Sequence, residues 1–344
     1  MLKKKSTIDK LYLINKKILK LLDEEIALIK SEPSLDFSAL SKNLTKKLKK
    51  EKSENIDPSL IKSILFETLT STLEYNNEKI VYLGPKGSYT QEAAINKFGT
   101  QNLYYSVNSI KNIFFEVNEG RAMYGIVPIE NSSNGIVGDT INCFNTYNLN
   151  IVGETVLDIH HTLVSNCKNV EDIKTIYSKD IAFDQCSIFL ENYHLNEVKY
   201  EYVESTTKAA KLAAQNKNSA AICSKLASIT NNIPVLFNNI EDNKNNRTRF
   251  LIISKKQTQK TKKDKTSIIA RLSNSYGSLI NFLEDFKKEK ISLNKIKSHI
   301  VNGRSTFFIE FEGHKEDKNI ENLLSKHDKE IKCLGSYPKE VEDI

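Results

Sequence analysis

The chain has 344 residues, a formal net charge of +7 and an apolar fraction of 39%, an ordinary composition for a globular protein of two or three domains. No segment approaches the roughly 18 consecutive apolar residues that a membrane span needs. The basic N-terminus also lacks the apolar run and cleavage site of a signal peptide. The sequence therefore predicts a cytoplasmic protein that has no membrane partner.

The cysteines, histidines and lysines indicate which kinds of site and partner the sequence does not favour. The five cysteines are scattered singly, which is typical of free thiols in a reducing compartment and indicates neither disulfides nor zinc. His160 and His161 are adjacent, so on a strand they point to opposite faces, and we interpret them as structural rather than as metal ligands. The positive charge is concentrated in residues 1–79 and in the Lys-rich stretch 255–265. That stretch lacks interleaved aromatic residues and is typical of a solvated linker, so no nucleic-acid partner is predicted.

The N-terminal segment carries helical patterns. Apolar residues recur at helical spacing from Ile8 to Ile29. Asp57 and Pro58 supply an N-cap and a first-turn proline for a later helix. A helical unit of this size cannot bury its own apolar stripes, so we expect it to pack against a second copy of the chain.

Strands that alternate with helices follow this segment. The glycines of GPKGSYTQEAA permit a tight turn, and Ser88 with Gln91 matches a capping box. YGIVPIENSSNGIV places a polar loop at residues 131–134 after a strand, and VESTTKAAKLAA offers Ser205 or Thr206 as an N-cap. Three such turns present free backbone N–H groups, so they predict an anion site. Neither common nucleotide-binding glycine motif is present.

The stretch NNRTRF directly precedes the apolar run Leu251–Ile253. This run predicts a buried strand, with the hydroxyl of Thr248 between two arginines at its start. The period of two puts Thr248 and Phe250 on one side of the strand and Arg249 on the other. Ligands commonly meet the chain at strand ends in α/β proteins, so Thr248 is a candidate site residue.

Four motifs resemble those of prephenate dehydratase in order and spacing, namely GPKGSYTQEAA, VPIENSSNGIV, VEST and NNRTRF. The whole chain resembles the bifunctional P-protein. The fold class that this implies is multi-domain: an all-α helical domain, an α/β two-lobed periplasmic-binding-protein-like domain and an α+β ferredoxin-like domain. The implied domains are a chorismate mutase-like domain (1–79), the dehydratase domain (80–254), a linker (255–265) and an ACT regulatory domain (266–344), whose strands and helices also read as βαββαβ. A homodimer or tetramer is implied as well.

The resemblance implies conversion of prephenate to phenylpyruvate, carbon dioxide and water in phenylalanine biosynthesis, with arogenate as an alternative substrate. Decarboxylation supplies the electrons for aromatisation, so no metal or organic cofactor is needed, and the site must donate a hydrogen bond to the departing hydroxyl. Thr248 carries over as that hydrogen-bond donor or as a proton relay to the departing hydroxyl. The polar residues that carry over as substrate contacts are Ser88, Asn131, Ser132, Gln185 and Thr206. Arg249 keeps two alternatives, a substrate contact or a structural ion pair.

Two segments depart from the family pattern. After Ser178, the usual His-Pro-Gln is replaced by Lys179, Asp180 and Ile181. In the helical domain the family's arginines, glutamate and glutamine align with Ile8, Glu25, Ala39, Leu40 and Asn76. Glu25 reverses the sign where a dianion should bind, so we predict a dimerising remnant with little or no mutase activity. An alternative alignment recruits Lys5, Lys16 or Lys30.

The implied ACT domain is altered too. The phenylalanine motifs near G-A-L and E-S-R-P correspond here to Gly277-Ser278-Leu279 and Lys297-Ser298-His299-Ile300. Gly277, Ser278, Leu279 and Ser298 are therefore predicted to bind L-phenylalanine as a feedback effector. A non-catalytic sensor that binds an aromatic or dicarboxylic anion in the same cleft is the alternative function.

Overall fold

The computed structural model describes residues 7–31, 44, 47, 60, 64, 67–68, 78–100, 102–261, 263–273, 275–301 and 304–339. The chain divides into two units, residues 1–78 with 98–103 and residues 79–97 with 104–344. In the first unit, helix α1 spans Thr7–Lys30, as the apolar spacing predicts. The predicted second helix start at Asp57 and Pro58 lies outside the described residues, as do Lys5, Ala39, Leu40 and Asn76.

Strands and helices alternate from Lys79 onward. The first group is β1 (Lys79–Leu83), α2 (Tyr89–Phe98), β2 (Leu103–Val107), α3 (Ile110–Asn118), β3 (Tyr124–Asn131), β4 (Gly135–Ile136), α4 (Gly138–Thr146) and β5 (Asn150–Asp158). The second group is β6 (Thr162–Ser165), β7 (Thr175–Ser178), α5 (Asp180–Asp184), α6 (Ser187–Asn192), β8 (Lys199–Tyr202), α7 (Thr206–Gln215), β9 (Ser219–Cys223), α8 (Lys225–Asn231) and β10 (Val235–Asn238), with 3₁₀ turns at Val170–Asp172 and Leu195–Glu197. The last group is β11 (Arg247–Ser254), β12 (Asp264–Ala270), α9 (Ser278–Lys288), β13 (Leu293–Val301), β14 (Arg304–Glu312), α10 (Lys318–Lys326) and β15 (Ile331–Pro338).

Two sheets form two lobes. The first lobe is built on a sheet with the order β2-β1-β3-β11-β5, to which β4 adds beside β3, and the second lobe on a sheet with the order β10-β6-β9-β7-β8. The chain passes into the second lobe between β5 and β6 and returns between β10 and β11. The two lobes are therefore connected by two crossings of the chain.

The segment from β12 to β15, here called the C-terminal subdomain, is a four-stranded antiparallel sheet with the order β13-β14-β12-β15. Its strand and helix order is the predicted βαββαβ order. Strand β12 begins at Asp264, so the last two residues of the predicted linker belong to this sheet, and Lys265 is fully buried rather than solvated.

The first lobe and the C-terminal subdomain share one hydrophobic core. A single buried cluster joins Leu251 of the first lobe to Phe308 and Leu334 of the C-terminal subdomain. Gly335 has a φ of 132°, and a Cβ there would lie 2.5 Å from the carbonyl oxygen of Ile151. Only glycine allows β15 to cross β5 at this distance. These two parts therefore pack as one body.

Candidate active site

The candidate site lies where the facing edges of the two lobes meet. Strands β1 and β3 are parallel and β11 is antiparallel to β3, so the ends of β1 and β3 and the start of β11 share one edge. The hydroxyl of Ser224, which follows β9, donates to the carbonyl oxygen of Gly87 at 2.9 Å. Gly87 has a φ of 93°, and a Cβ there would lie 3.1 Å from both Ala227 and Thr207. The glycine of the predicted turn is thus needed for contact between the lobes.

Thr248 and Asn131 lie opposite each other on β11 and β3 at this edge. The amide Nδ2 of Asn131 donates to Oγ1 of Thr248 at 2.8 Å. The other end of that amide, Oδ1, accepts from the backbone N–H groups of Ser133 and Asn134 at 2.9 and 3.1 Å. Two backbone donors fix the orientation of the amide. Thr248 therefore uses its oxygen to accept from Asn131, and its O–H can donate to a ligand.

Asn246, which the sequence analysis missed, organises the loop beside this pair. It is 2% exposed, and its Oδ1 accepts from Asn131 Nδ2 at 2.9 Å. The hydroxyl of Ser132 accepts from the backbone N–H of Arg247 at 2.9 Å. Ser132 thus ties the loop after β3 to the start of β11. The available sequence signal for Asn246 was its position directly before the Arg-Thr-Arg stretch.

Ser88 caps helix α2. Its hydroxyl accepts from the backbone N–H of Gln91 at 3.3 Å and donates to the carbonyl oxygen of Leu83 at 2.8 Å. Gln91 Oε1 in turn accepts from the N–H of Gly87 at 2.6 Å. The predicted capping box is present, but the side chain of Gln91 bonds to the N–H of Gly87 and not to that of the N-cap residue Ser88. Both hydrogen bonds of the Ser88 hydroxyl are thus made within the turn. The groups available to a ligand in the cleft are the first backbone N–H groups of α2.

Helix α7 begins beside this turn. Of the two predicted N-caps, Ser205 makes the bond: its hydroxyl accepts from the N–H of Lys208 at 3.1 Å. Thr206 is the first helical residue and is half-buried. Thr207, which the sequence analysis did not single out, is buried, and its Oγ1 has no hydrogen-bond partner among the described residues.

Gln185 lies in a chain of contacts that links the two lobes. Its Oε1 lies 2.9 Å from Nε2 of His161, and Nδ1 of His161 lies 2.7 Å from the hydroxyl of Tyr89. Burial lowers the pKa of His161, which favours a neutral ring. His160 binds Glu241 at 2.7 Å. Both histidines therefore have structural partners, and the described residues contain no group of three or more His, Cys, Asp or Glu that could hold a metal.

Arg249 points away from the cleft. It is fully buried, and its guanidinium lies 2.6 Å from carboxylate oxygens of Glu154 and Glu310. The structure therefore supports the ion-pair alternative for Arg249 and not the substrate contact. The predicted separation of Thr248 and Arg249 onto opposite sides of β11 is present.

The divergent segment after β7 borders a cavity in the second lobe. This cavity has a volume of about 640 Å³ and is lined by Lys179, Asp180, Tyr202, Val203, Glu204 and Lys208. Lys208 pairs with Glu204 at 3.1 Å. The departure from the family pattern therefore adds a lysine and an aspartate to the lining at the ends of β7 and β8.

The residues predicted to bind phenylalanine lie in two elements of the C-terminal subdomain. Gly277, with a φ of 77°, is the N-cap of α9, and Ser278 and Leu279 begin that helix. Ser298 is exposed on β13, opposite Phe307 of β14.

Two α/β lobes that meet at polar helix starts define a two-lobed small-molecule-binding protein. The family model described as prephenate dehydratase matches residues 80–258. The chain is 38% identical over 267 residues to a bifunctional chorismate mutase/prephenate dehydratase of Aquifex aeolicus (strain VF5), which covers 76% of this chain and 74% of that protein. It is 38% identical over 277 residues to a prephenate dehydratase of Methanocaldococcus jannaschii, covering 76% of this chain and 98% of that protein.

A solved structure has the same fold. The prephenate dehydratase of Arthrobacter aurescens, in complex with L-Phe, superposes with a TM-score of 0.71 at 27% identity, covering 77% of this chain and 92% of that chain. The chain belongs to the prephenate dehydratase family. The resemblance identified from the sequence motifs is confirmed. No helix in the described part of the chain is long and apolar enough to cross a membrane.

Proposed function

We propose that the protein converts prephenate to phenylpyruvate, carbon dioxide and water, with the Thr248 hydroxyl as hydrogen-bond donor to the departing ring hydroxyl. Family membership supports the reaction. The hydrogen bond from Asn131 to Thr248 is the observation that supports the residue, because it turns the hydrogen of Thr248 toward a ligand.

The reaction needs little from the protein beyond donors and anion partners. The electron pair of the bond to the ring carboxylate moves into the ring as carbon dioxide leaves, and the bond to the ring hydroxyl breaks. The hydroxyl takes up one proton, supplied by the solvent, and departs as water. Asn131 donates to Thr248 while Thr248 donates to the leaving oxygen, and such chained bonds strengthen one another. No base is required, because no carbon-bound hydrogen is removed.

The two carboxylates of prephenate are held by backbone donors and positive potential. Helices α2 and α7 begin next to each other, at Tyr89 and Thr206, since Gly87 lies against Thr207, and their first N–H groups carry partial positive charge. Lys179 and Lys208 line the cavity of the second lobe, but Asp180 and Glu204 balance their charges, so the helix N-termini are the source of the positive potential. Substrate contacts from Ser88, Asn131, Ser132, Thr206 and Gln185 remain a prediction.

The test is an assay of the full chain with prephenate and with arogenate, following the aromatic product. Prephenate turnover is expected. If prephenate binds but neither compound is turned over, the non-catalytic sensor is the better account.

We further propose that the C-terminal subdomain is an ACT regulatory domain that binds L-phenylalanine through Gly277, Ser278, Leu279 and Ser298. The βαββαβ order supports this, as does the L-Phe complex of the Arthrobacter enzyme. Phenylalanine should lower the activity, and no response at about millimolar effector would contradict the proposal.

Sedimentation analysis tests the expected homodimer or tetramer.

Weak or absent mutase activity also remains a prediction. Glu25, which replaces a family arginine, lies half-buried on α1. The full chain supplied with chorismate should not form prephenate at an enzymatic rate, and ordinary turnover would refute the prediction.

A further inference from the structure

Next to the Thr248–Asn131 pair, which faces the cleft, the same two strands carry a second pair that faces the C-terminal subdomain. Thr248 lies opposite Asn131, and one step along the same two strands Arg249 lies opposite Glu130. Side chains alternate along a strand, so the two pairs point to opposite faces of the sheet. Both Arg249 and Glu130 are bound to residues of the C-terminal subdomain.

Arg249 anchors β11 to β14. Its Nη1 and Nη2 atoms each donate to an oxygen of Glu310 at 2.6 Å, a two-point contact, and its Nε donates to Glu154 at 2.8 Å. The amine of Lys265 lies 3.1 Å from the second oxygen of Glu154. All four side chains are fully buried. Two positive and two negative charges therefore balance inside the shared body.

Hydroxyl groups complete this cluster. Ser267 and Tyr337 donate to Glu310 at 2.9 and 3.0 Å. Removing one charge from such a buried set leaves its partner uncompensated, which is strongly destabilising. The spacing between β11 and β14 is therefore strongly fixed.

Glu130 anchors β3 to β13. It is 7% exposed, pairs directly with Lys295 and lies 3.5 Å from the amine of Lys297. Lys297 occupies the position where the family motif places a glutamate. The strand that carries Asn131 is thereby tied to the same sheet as the strand that carries Thr248.

We propose that Arg249 and Glu130 are positioning residues through which the C-terminal subdomain sets the Thr248–Asn131 geometry. The inference rests on the proposed function, since it concerns the same reaction. Arg249 directly follows Thr248 in the chain, and Glu130 directly precedes Asn131. A shift of β14 is therefore passed through Arg249 to the Thr248 hydroxyl, and a shift of β13 is passed through Glu130 to the Asn131 amide that orients this hydroxyl. Misplacement of a reacting group by about 1 Å can cost up to about 100-fold in rate.

The test measures kcat and KM for prephenate in the full chain. The variants are Glu310→Gln, Glu130→Gln, Lys295→Gln and the double variant of the last two, with kcat normalised to the folded fraction. The matched control is Glu312→Gln, on the same strand as Glu310, which removes an exposed pair with Lys339. We expect kcat to fall about tenfold in Glu310→Gln and Glu130→Gln with KM within about twofold, and the control to match the wild type.

The double variant separates positioning from general loss of structure. Because Glu130 and Lys295 act as one pair, the double variant should have the kcat of Glu130→Gln alone. Folded variants with wild-type kcat, or effects of Glu130→Gln and Lys295→Gln that multiply, would overturn the inference. If Glu310→Gln does not fold, the Glu130 and Lys295 variants decide. A wild-type chain that fails to turn over prephenate would instead refute the proposed function, and the inference with it.

Discussion

Asn131 holds the hydroxyl of Thr248 from a distance of 2.8 Å, and its own amide is held in turn by two backbone N–H groups of the loop after β3. The direction in which Thr248 can donate is therefore set by the loop and not by the threonine itself. Preorganised donors of this kind cost nothing to orient during the reaction.

Replacement of Thr248 by alanine tests the donor directly. We expect kcat to fall by about 100- to 1,000-fold in Thr248→Ala, because the departing hydroxyl loses its donor. Thr248→Ser keeps the hydroxyl and should retain activity within about tenfold of the wild type. Steady-state kinetics give the rates, and calorimetric titration with prephenate should show binding preserved. A Thr248→Ala enzyme with wild-type kcat would remove Thr248 from the mechanism.

Asn131→Asp separates the donor from the loop. The aspartate can still accept from Ser133 and Asn134, but it offers Thr248 an acceptor in place of a donor. The Thr248 hydroxyl then donates to the aspartate and not to the ligand, so kcat should fall about 10- to 100-fold. Thermal stability should fall as well, because the bond from Nδ2 to the buried Oδ1 of Asn246 is also lost, so kcat is normalised to the folded fraction. Unchanged kcat in a folded Asn131→Asp protein would show that this orientation is unimportant.

The sequence predicted the face of Thr248 but not the partners of Arg249. The alternation of successive side chains along a strand is a local property, so it correctly placed Thr248 and Arg249 on opposite faces of β11. Glu310 lies 61 residues further along the chain, and no local pattern indicates which of many carboxylates reaches a given arginine. Asn246 and Thr207 were missed for a related reason, because their importance comes from burial between elements and not from spacing.

Buried His161 predicts a loss of stability in mild acid. Burial lowers its pKa in the folded state, so the unfolded chain binds the proton more readily. The free energy of unfolding should therefore fall as the pH drops below about 6.5, the ordinary histidine value. Urea unfolding at pH 7 and pH 5.5 should show a smaller difference for His161→Gln than for the wild type. His194→Asn, at an exposed histidine, is the control, and equal pH dependence of all three proteins would contradict the prediction.

Gly335 should be intolerant of any side chain. Gly335→Ala places a Cβ 2.5 Å from the carbonyl oxygen of Ile151 at a φ of 132°, so we expect a loss of about 3 kcal/mol or more in the free energy of unfolding. Gly153→Ala, on β5, is the matched control, because its Cβ would meet nothing closer than 3.6 Å. Denaturant unfolding measures both. Equal effects at the two glycines would show that β15 and β5 can separate without cost.

The shared core determines where the chain can be cut. Residues 80–258, the part that the family model matches, end before Phe308, Leu334 and Tyr337, which complete the packing around Leu251. Expressed without them, the two lobes would present a bare apolar surface and an arginine without Glu310 as its counter-ion, and aggregation is the expected fate. A stable fragment that retains Thr248 must therefore also contain the C-terminal subdomain through Pro338.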